Sequence, residues 1–258
     1  MSSGFGNVIK QWRGFRRFSQ LALSIETGLS SRHISFLETG RSRPSRSAVM
    51  TLARVLDMPR PAVNEALLAA GFAPEYRALA LTDEELAPAM QAIEMILANH
   101  APMPAIVIDG AWNIVGGNRP AQAMMTFLPM QGSLSVIAAL FNDDPADPVF
   151  LNWSTIATWT LLRLQAEISK AGSDSPLVPL YERLVRDPRL KPDDMASFSD
   201  YGPVLTMNVK IDEYRLSLIT MLAEFSTVQD LAMSERRVEL FFPADAATRL
   251  YFERLDKD

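Results

Sequence analysis

Between Ser19 and Ser45 the chain is punctuated by serines and glycines at intervals that leave room only for helices of about two turns. Ser19 precedes Gln20–Thr27 and Ser30 precedes Ser31–Thr39. Ser45 precedes a stretch whose apolar residues Ala48, Val49, Leu52, Ala53 and Leu56 recur at helical spacing. A serine at an N-cap accepts a hydrogen bond from the free amides of the first turn. Gly28 and Gly40 stand where a helix stops most easily, in the left-handed conformation. Upstream, Trp12 and Phe15 share one face of a helix ending near Arg17. Downstream, Pro59 and Pro61 break the chain, and Pro61 suits the first turn of a fifth helix through Ala70. An all-α domain over residues 1–72 follows.

The middle pair carries more than fold information. Two short helices at a fixed angle need a turn with no side chain at its centre, which Gly28 supplies. Leu23, Ile34 and Leu37 have the spacing to pack the pair together, and Ser24 keeps the crossing narrow. This pattern implies a helix-turn-helix, whose second helix presents its N-terminal end to base edges in the major groove of double-stranded DNA. Ser30, Ser31, Arg32, His33, Ser35 and Phe36 fall at that end. Arg32 suits the O6 and N7 of guanine, a contact worth about 1–3 kcal/mol of discrimination. Gln20 opens the first helix of the pair and is expected on a phosphate, beside the amides of a helix N-terminus. Arg41 and Arg43 follow the reading helix and would lie along the DNA backbone. His33 serves a phosphate or packing, and Phe36 meets either a thymine methyl or the rings of Phe15 and Phe18. Glu38 is expected to be structural, tying the reading helix to the following loop through Arg41 or backbone amides.

Capped helix pairs also occur in proteins that never touch DNA, so charge matters. Residues 1–60 hold ten Lys/Arg against three acids, a net of +7, whereas the rest of the 258-residue chain carries fifteen against twenty-seven, a net of −12. A basic head on an acidic body fits a head that meets a polyanion and a body that does not. The chain has no Cys, which excludes disulfides, thiol catalysis and thiolate metal sites. Its two His, at positions 33 and 100, leave little for zinc or haem. No Gly-rich phosphate loop is present, and no nucleophile with its base is apparent, so catalytic, metal and cofactor sites are not expected. The basic N-terminus lacks the apolar run of a signal peptide. Apolar stretches such as Val136–Phe141 are too short for a bilayer. A cytoplasmic protein without membrane contact is the expectation.

Residues 73–100 read as a connector with a linking helix over Glu84–Asn99. Residues 101–258 change periodicity. Ala105–Asp109 and Trp112–Val115 are β-prone runs around a Gly-Ala turn, predicting a hairpin. Helical stretches follow at Arg119–Phe127, Ser133–Leu140, Trp153–Ala171 and Pro176–Arg186. Strands are predicted at Val204–Ile211, Tyr214–Phe225 and Arg237–Pro243, with a tight turn at Asp212-Glu213. Two strands, several helices and three strands is the order of an α+β, PAS-like domain with an antiparallel sheet. Such sheets curl around a cavity. The apolar residues expected to line it are Trp112, Met124, Phe127, Trp153, Ile156, Met207, Leu218 and Phe242, with Ile108, Met125 and Ile219 in the same pool. Thirteen Met suit a pocket for a flexible chain such as a fatty acyl group, although a Met or Trp stripe at helical spacing is more often plain core. Asn118 and Asp245 are expected as helix caps. Arg236 and Arg237 either meet a ligand carboxylate or are solvated strand charges.

The stretch RRFSQLALSIETGLSSRHISFLETGRSRPS, with LLAAGFAPEY at Leu67–Tyr76, resembles the helix-turn-helix of XRE-type regulators. PAIVIDGAWNIVGGN (Pro104–Asn118), Asn152-Trp153 and VELFFPADAAT (Val238–Thr248) resemble the branch that carries an MmyB-like ligand-binding domain. Together these blocks span nearly the whole chain. Two departures stand out: Ala22 replaces an acidic residue, and no Asn-Leu-Leu precedes the mid-domain helices around Ser133. The resemblance implies a one-component repressor or activator, its head on DNA and its PAS-like body sensing a small apolar molecule such as a fatty acid. A homodimer reading inverted half-sites is the implied assembly. The alternative is a body that serves only dimerisation or protein interaction.

Overall fold

The computed structural model describes residues 4–132, 135–191, 204–225 and 230–255. The chain divides into two compact units. One is built on the residues up to Ala78 and takes in Ala166–Ser175; the other holds Leu79–Gln165 and most of the chain beyond Ser175.

Up to Ala78 the described residues form five helices, α1 (Phe5–Phe15), α2 (Gln20–Thr27), α3 (Ser31–Glu38), α4 (Arg46–Val55) and α5 (Arg60–Ala69). The serine caps are in place: the hydroxyls of Ser19, Ser30 and Ser45 accept from the amides of Ala22, His33 and Ala48 at 3.0, 3.1 and 3.1 Å. Gly28 ends α2 at φ 72°, where a Cβ would be strained. Leu23, Ile34 and Leu37 are buried in one core with Ile9, Val49 and Leu52. Close approach is enforced at Gly6. A Cβ there would stand 2.4 Å from the carbonyl oxygen of Glu38 and 2.6 Å from that of Leu37. Beyond α5, the buried Asn64 amide accepts from the amides of Glu75 and Tyr76 and donates to the Tyr76 carbonyl, fastening the LLAAGFAPEY stretch to this unit.

The second unit opens with a short 3₁₀ turn at Glu84–Leu86 and α6 (Ala87–His100). A hairpin of β1 (Ala105–Ile108) and β2 (Ile114–Gly117) comes next, then α7 (Arg119–Met125), α8 (Val136–Asn142), α9 (Trp153–Ala171) and α10 (Val178–Val185). The chain continues through β3 (Met207–Ile211), β4 (Tyr214–Glu224), α11 (Leu231–Ser234), β5 (Arg237–Pro243) and α12 (Ala246–Leu255). The sheet runs β2-β1-β5-β4-β3 with every pairing antiparallel. This is the PAS-like α+β order that the sequence predicts. The expected start of the second helical stretch at Ser133 lies outside the described residues. The single turn α11 is not foreshadowed in the sequence, since four residues carry no readable period.

The first hairpin departs from the Gly-Ala expectation. The Asp109 carboxylate accepts from the amides of Ala111 and Asn113 at 3.0 and 2.8 Å, folding a longer turn upon itself. Trp112 therefore lies in the turn, at φ 63°, and β2 begins at Ile114. At the other hairpin, Asp212 takes φ 50° in the two-residue link between β3 and β4.

Strand alternation gives the sheet two faces. Val107 and Val238 pack with Leu86, Ile93 and Met233 on the α6 side. Ile106, Ile114, Val209, Leu218 and Phe241 face the opposite way, toward Met124, Leu140 and Phe150. Two asparagines knot the walls together. Asn152 donates to Thr206 O at 2.8 Å and accepts from the Asn208 amide at 2.9 Å, holding the start of α9 on β3. Asn118 caps α7 through the Ala121 amide (3.1 Å), accepts from the Ala105 amide (3.0 Å) and donates to the carbonyls of Leu97 and Met103 (3.2 and 2.9 Å). Asn118→Ala strips partners from α6, β1 and α7 at once, and is expected to lower stability by about 2–3 kcal/mol. Urea unfolding at neutral pH measures this, and Asn118→Asp, which keeps the acceptor but turns a carboxylate oxygen toward the Leu97 and Met103 carbonyls, should cost at least as much.

Candidate functional site

The inner face of the sheet, with α7, α8 and α9, encloses a cavity of about 390 Å³, within the range of small-molecule sites. Met124, Met125, Met130 and Met207 line it with Leu140 and Phe150. The sheet contributes Ile106, Ile114, Leu218, Ile219, Thr220 and Phe241. From α9 come Thr155, Ile156, Trp159, Thr160 and Arg163, and Trp112 enters from the hairpin turn.

Of the expected lining residues, the structure gathers Trp112, Met124, Met125, Ile156, Met207, Leu218 and Ile219 around this space. Four others do not line it. Phe242 is out of phase with Phe241 along β5, and its ring meets His100 edge-on at 4.8 Å. Phe127 lies past the end of α7 and is 37% exposed. The ring of Trp153 donates to Leu140 O at 2.9 Å and lies under the Arg189 guanidinium. Ile108 is fully buried in the packed core. Neither Arg236 nor Arg237 is a lining residue, and Arg237 reaches Glu224 on the adjacent strand at 3.9 Å. Asp245 caps α12 through the Thr248 amide at 2.7 Å; that hydrogen bond, first among its contacts, holds its carboxyl below the usual range.

The wall also holds an ion pair absent from the expected set. Arg163 Nη1 donates to Glu239 Oε1 at 3.2 Å, with the two side chains 13% and 6% exposed. The guanidinium lies 4.3 Å from the centre of the Trp112 ring and 5.5 Å from that of Trp159. A signal for both residues existed. Arg163 continues the Ile156, Trp159, Thr160 stripe at helical spacing, and Glu239 shares the strand phase of Phe241. A charge on an apolar stripe is costly unless paired, and neither residue shows its partner locally.

In the first unit, α3 presents a polar end. Ser31 and Arg32 are exposed, His33, Ser35 and Phe36 half-buried, and Ile34 and Leu37 sealed in the core. The Arg32 guanidinium rests over the Phe36 ring at 5.2 Å. Ser30 uses its hydroxyl oxygen as the cap, and Arg41 and Arg43 are exposed beyond the helix. Gln20 is placed otherwise than expected. Its amide turns inward and donates to Glu38 Oε2 at 2.8 Å, because that carboxylate is 3% exposed and needs donors. The remaining donors come from Arg13, whose Nε and Nη2 reach the two Glu38 oxygens at 2.6 and 3.1 Å. Glu38 is thus tied back to α1 and α2, and not forward to Arg41.

A family model described as the MmyB-like transcription regulator ligand binding domain matches residues 89–255. The chain belongs to that family. No curated protein matches the chain. The match takes in every described wall of the cavity, so the MmyB-like domain of this protein is a ligand-binding module of a transcription regulator, a family of regulators and not of enzymes. No helix among the described residues is long and apolar enough to cross a membrane.

The Glu38 cluster generates a stability prediction. Burial by itself would push this carboxyl up, but the hydrogen bonds from Arg13 and Gln20 and the Arg13 charge hold it below the usual range. A carboxyl depressed in the folded state stabilises fully above its unfolded value, about pH 4.3, and loses that contribution as pH falls through the folded value. Arg13→Ala leaves the buried carboxylate without its bidentate cation, with Gln20 as the remaining side-chain donor, and should lower the unfolding free energy by about 3 kcal/mol at pH 7. Glu38→Gln should flatten the acid limb of the pH–stability profile. Chemical denaturation across the acid range measures both.

Proposed function

We propose that the chain is a sequence-specific DNA-binding transcription regulator controlled by a small apolar ligand. In this reading residues 1–72 form an XRE-type helix-turn-helix module, residues 73–100 connect, and residues 101–258 sense the ligand in the PAS-like cavity. The observation that carries the DNA half is the exposed Arg32 in the first turn of α3, within a segment of net charge +7. In a helix-turn-helix that position faces base edges. Ser31 and Ser35 flank it, Phe36 holds its guanidinium in a fixed plane, and Arg41, Arg43 and the α2 N-terminus supply backbone contacts. His33 and Ser30 sit at the same end. Gln20 acts from inside, orienting Glu38. The sensing half is supported by the family match and by a methionine-rich cavity able to hold a flexible molecule such as a fatty-acyl compound. A cytoplasmic homodimer reading inverted half-sites about one helical turn apart completes the reading.

Fluorescence anisotropy on DNA from upstream of the chain's own gene tests it. Affinity should fall steeply with salt, because bound cations are released from the phosphates. Arg32→Ala should reduce specific affinity by about tenfold while leaving binding to unrelated DNA little changed. Absence of binding at low salt, or binding indifferent to salt, would contradict the DNA half.

A further inference from the structure

The cavity is not uniformly apolar, and its polarity is arranged along α9. Ile156 and Arg163 both line it and stand two turns apart, about 10 Å along the helix axis. At the Ile156 end Leu140, Phe150 and Met207 stand with the uncharged Thr155 and Thr206, so it is the charge that is gathered at one end. At the other end are Arg163, Glu239, Trp112 and Trp159. A molecule that fills this space from end to end has an apolar body and a polar head. With roughly 30 Å³ for each water-sized atom, 390 Å³ takes about a dozen non-hydrogen atoms.

The charge on the head follows from the ion pair. Among the described lining residues Arg163 and Glu239 are the ionisable ones, and they balance. A carboxylate brought to Arg163 would also lie beside Glu239, so two anions would share one cation where little water screens them. A plain hydrocarbon end would offer the pair no hydrogen bond in exchange for water. A neutral head with a donor and an acceptor complements the pair without adding a charge: its acceptor faces the guanidinium, and its donor faces the carboxylate. The indole face of Trp112 beneath Arg163 fixes the plane in which those N–H groups point.

We propose that this cavity selects an uncharged amphiphile of about a dozen non-hydrogen atoms, with a head that both donates and accepts hydrogen bonds, of which a medium-chain primary amide is the type. This rests on the sensing function proposed above and narrows its ligand away from free fatty acids.

Isothermal titration calorimetry of the full chain with decanamide and with decanoate, two probes of one chain length, tests the inference. The wild-type protein should bind the amide at least ~10-fold more tightly than the acid. In Glu239→Gln, Arg163 is the one charged group left among the described lining residues, and the order should reverse. Decanoate binding as tightly as decanamide to wild type would overturn the inference while leaving the sensing function intact. An unchanged order in Glu239→Gln would equally deny that the pair sets the selectivity, and if that variant does not fold the wild-type comparison decides alone. If neither probe binds, the sensing function fails and the inference with it.

Discussion

A five-stranded antiparallel sheet has two faces to keep from water, and the second unit is organised around that requirement. On one face α6 closes the problem with ordinary packing of Leu86 and Ile93 on Val107 and Val238. On the other, α7, α8 and α9 span the curled sheet without filling it, and a cavity remains. Its walls come from distant parts of the chain, so they must be fastened individually. Asn118 and Asn152 do this through side-chain hydrogen bonds to backbone groups of other elements, contacts that are directional where apolar packing is not. The ion pair of Arg163 and Glu239 then has fixed supports on α9 and on β5, the central strand.

The first unit solves a different problem with similar means. On the proposed function, α3 can enter a groove only if its tip is held at one angle while its sides are buried. Gly6 lets the α1 backbone touch the last carbonyls of α3. Glu38, at the C-terminal end of α3, collects two donors from Arg13 and one from Gln20. Three helices therefore meet at one carboxylate, and the opposite end of α3 is left exposed with Arg32 on it. The internal charge cluster and the outward arginine are two ends of a single short rod.

How much of this was legible depends on the range of each signal. Caps and glycine stops act within four residues, and Ser19, Gly28, Ser30 and Ser45 do what their positions announce. The succession of strands and helices along the chain was readable because three β-prone runs come after the helices, whereas their order in the sheet was not. Partner choice was not readable. Gln20 and Glu38 are eighteen residues apart, and Arg163 and Glu239 seventy-six, so nothing local links them. Phe242 was misplaced through strand phase: two adjacent phenylalanines point to opposite faces, and only the pairing register shows which one faces in. Trp112 lines the cavity from a turn that Asp109 lengthens, a geometry a Gly-Ala dipeptide did not suggest.

Whether one chain joins a ligand cavity to DNA reading is measured most directly by footprinting. Protection of DNA upstream of the chain's own gene would be titrated with and without a lipid extract of the cells that make the protein. Two inverted protected half-sites are expected, with a midpoint that moves by at least ~5-fold when the extract is added, the scale of an ordinary coupling between sites. A protected site whose midpoint ignores the extract, or no protection at all, would contradict it.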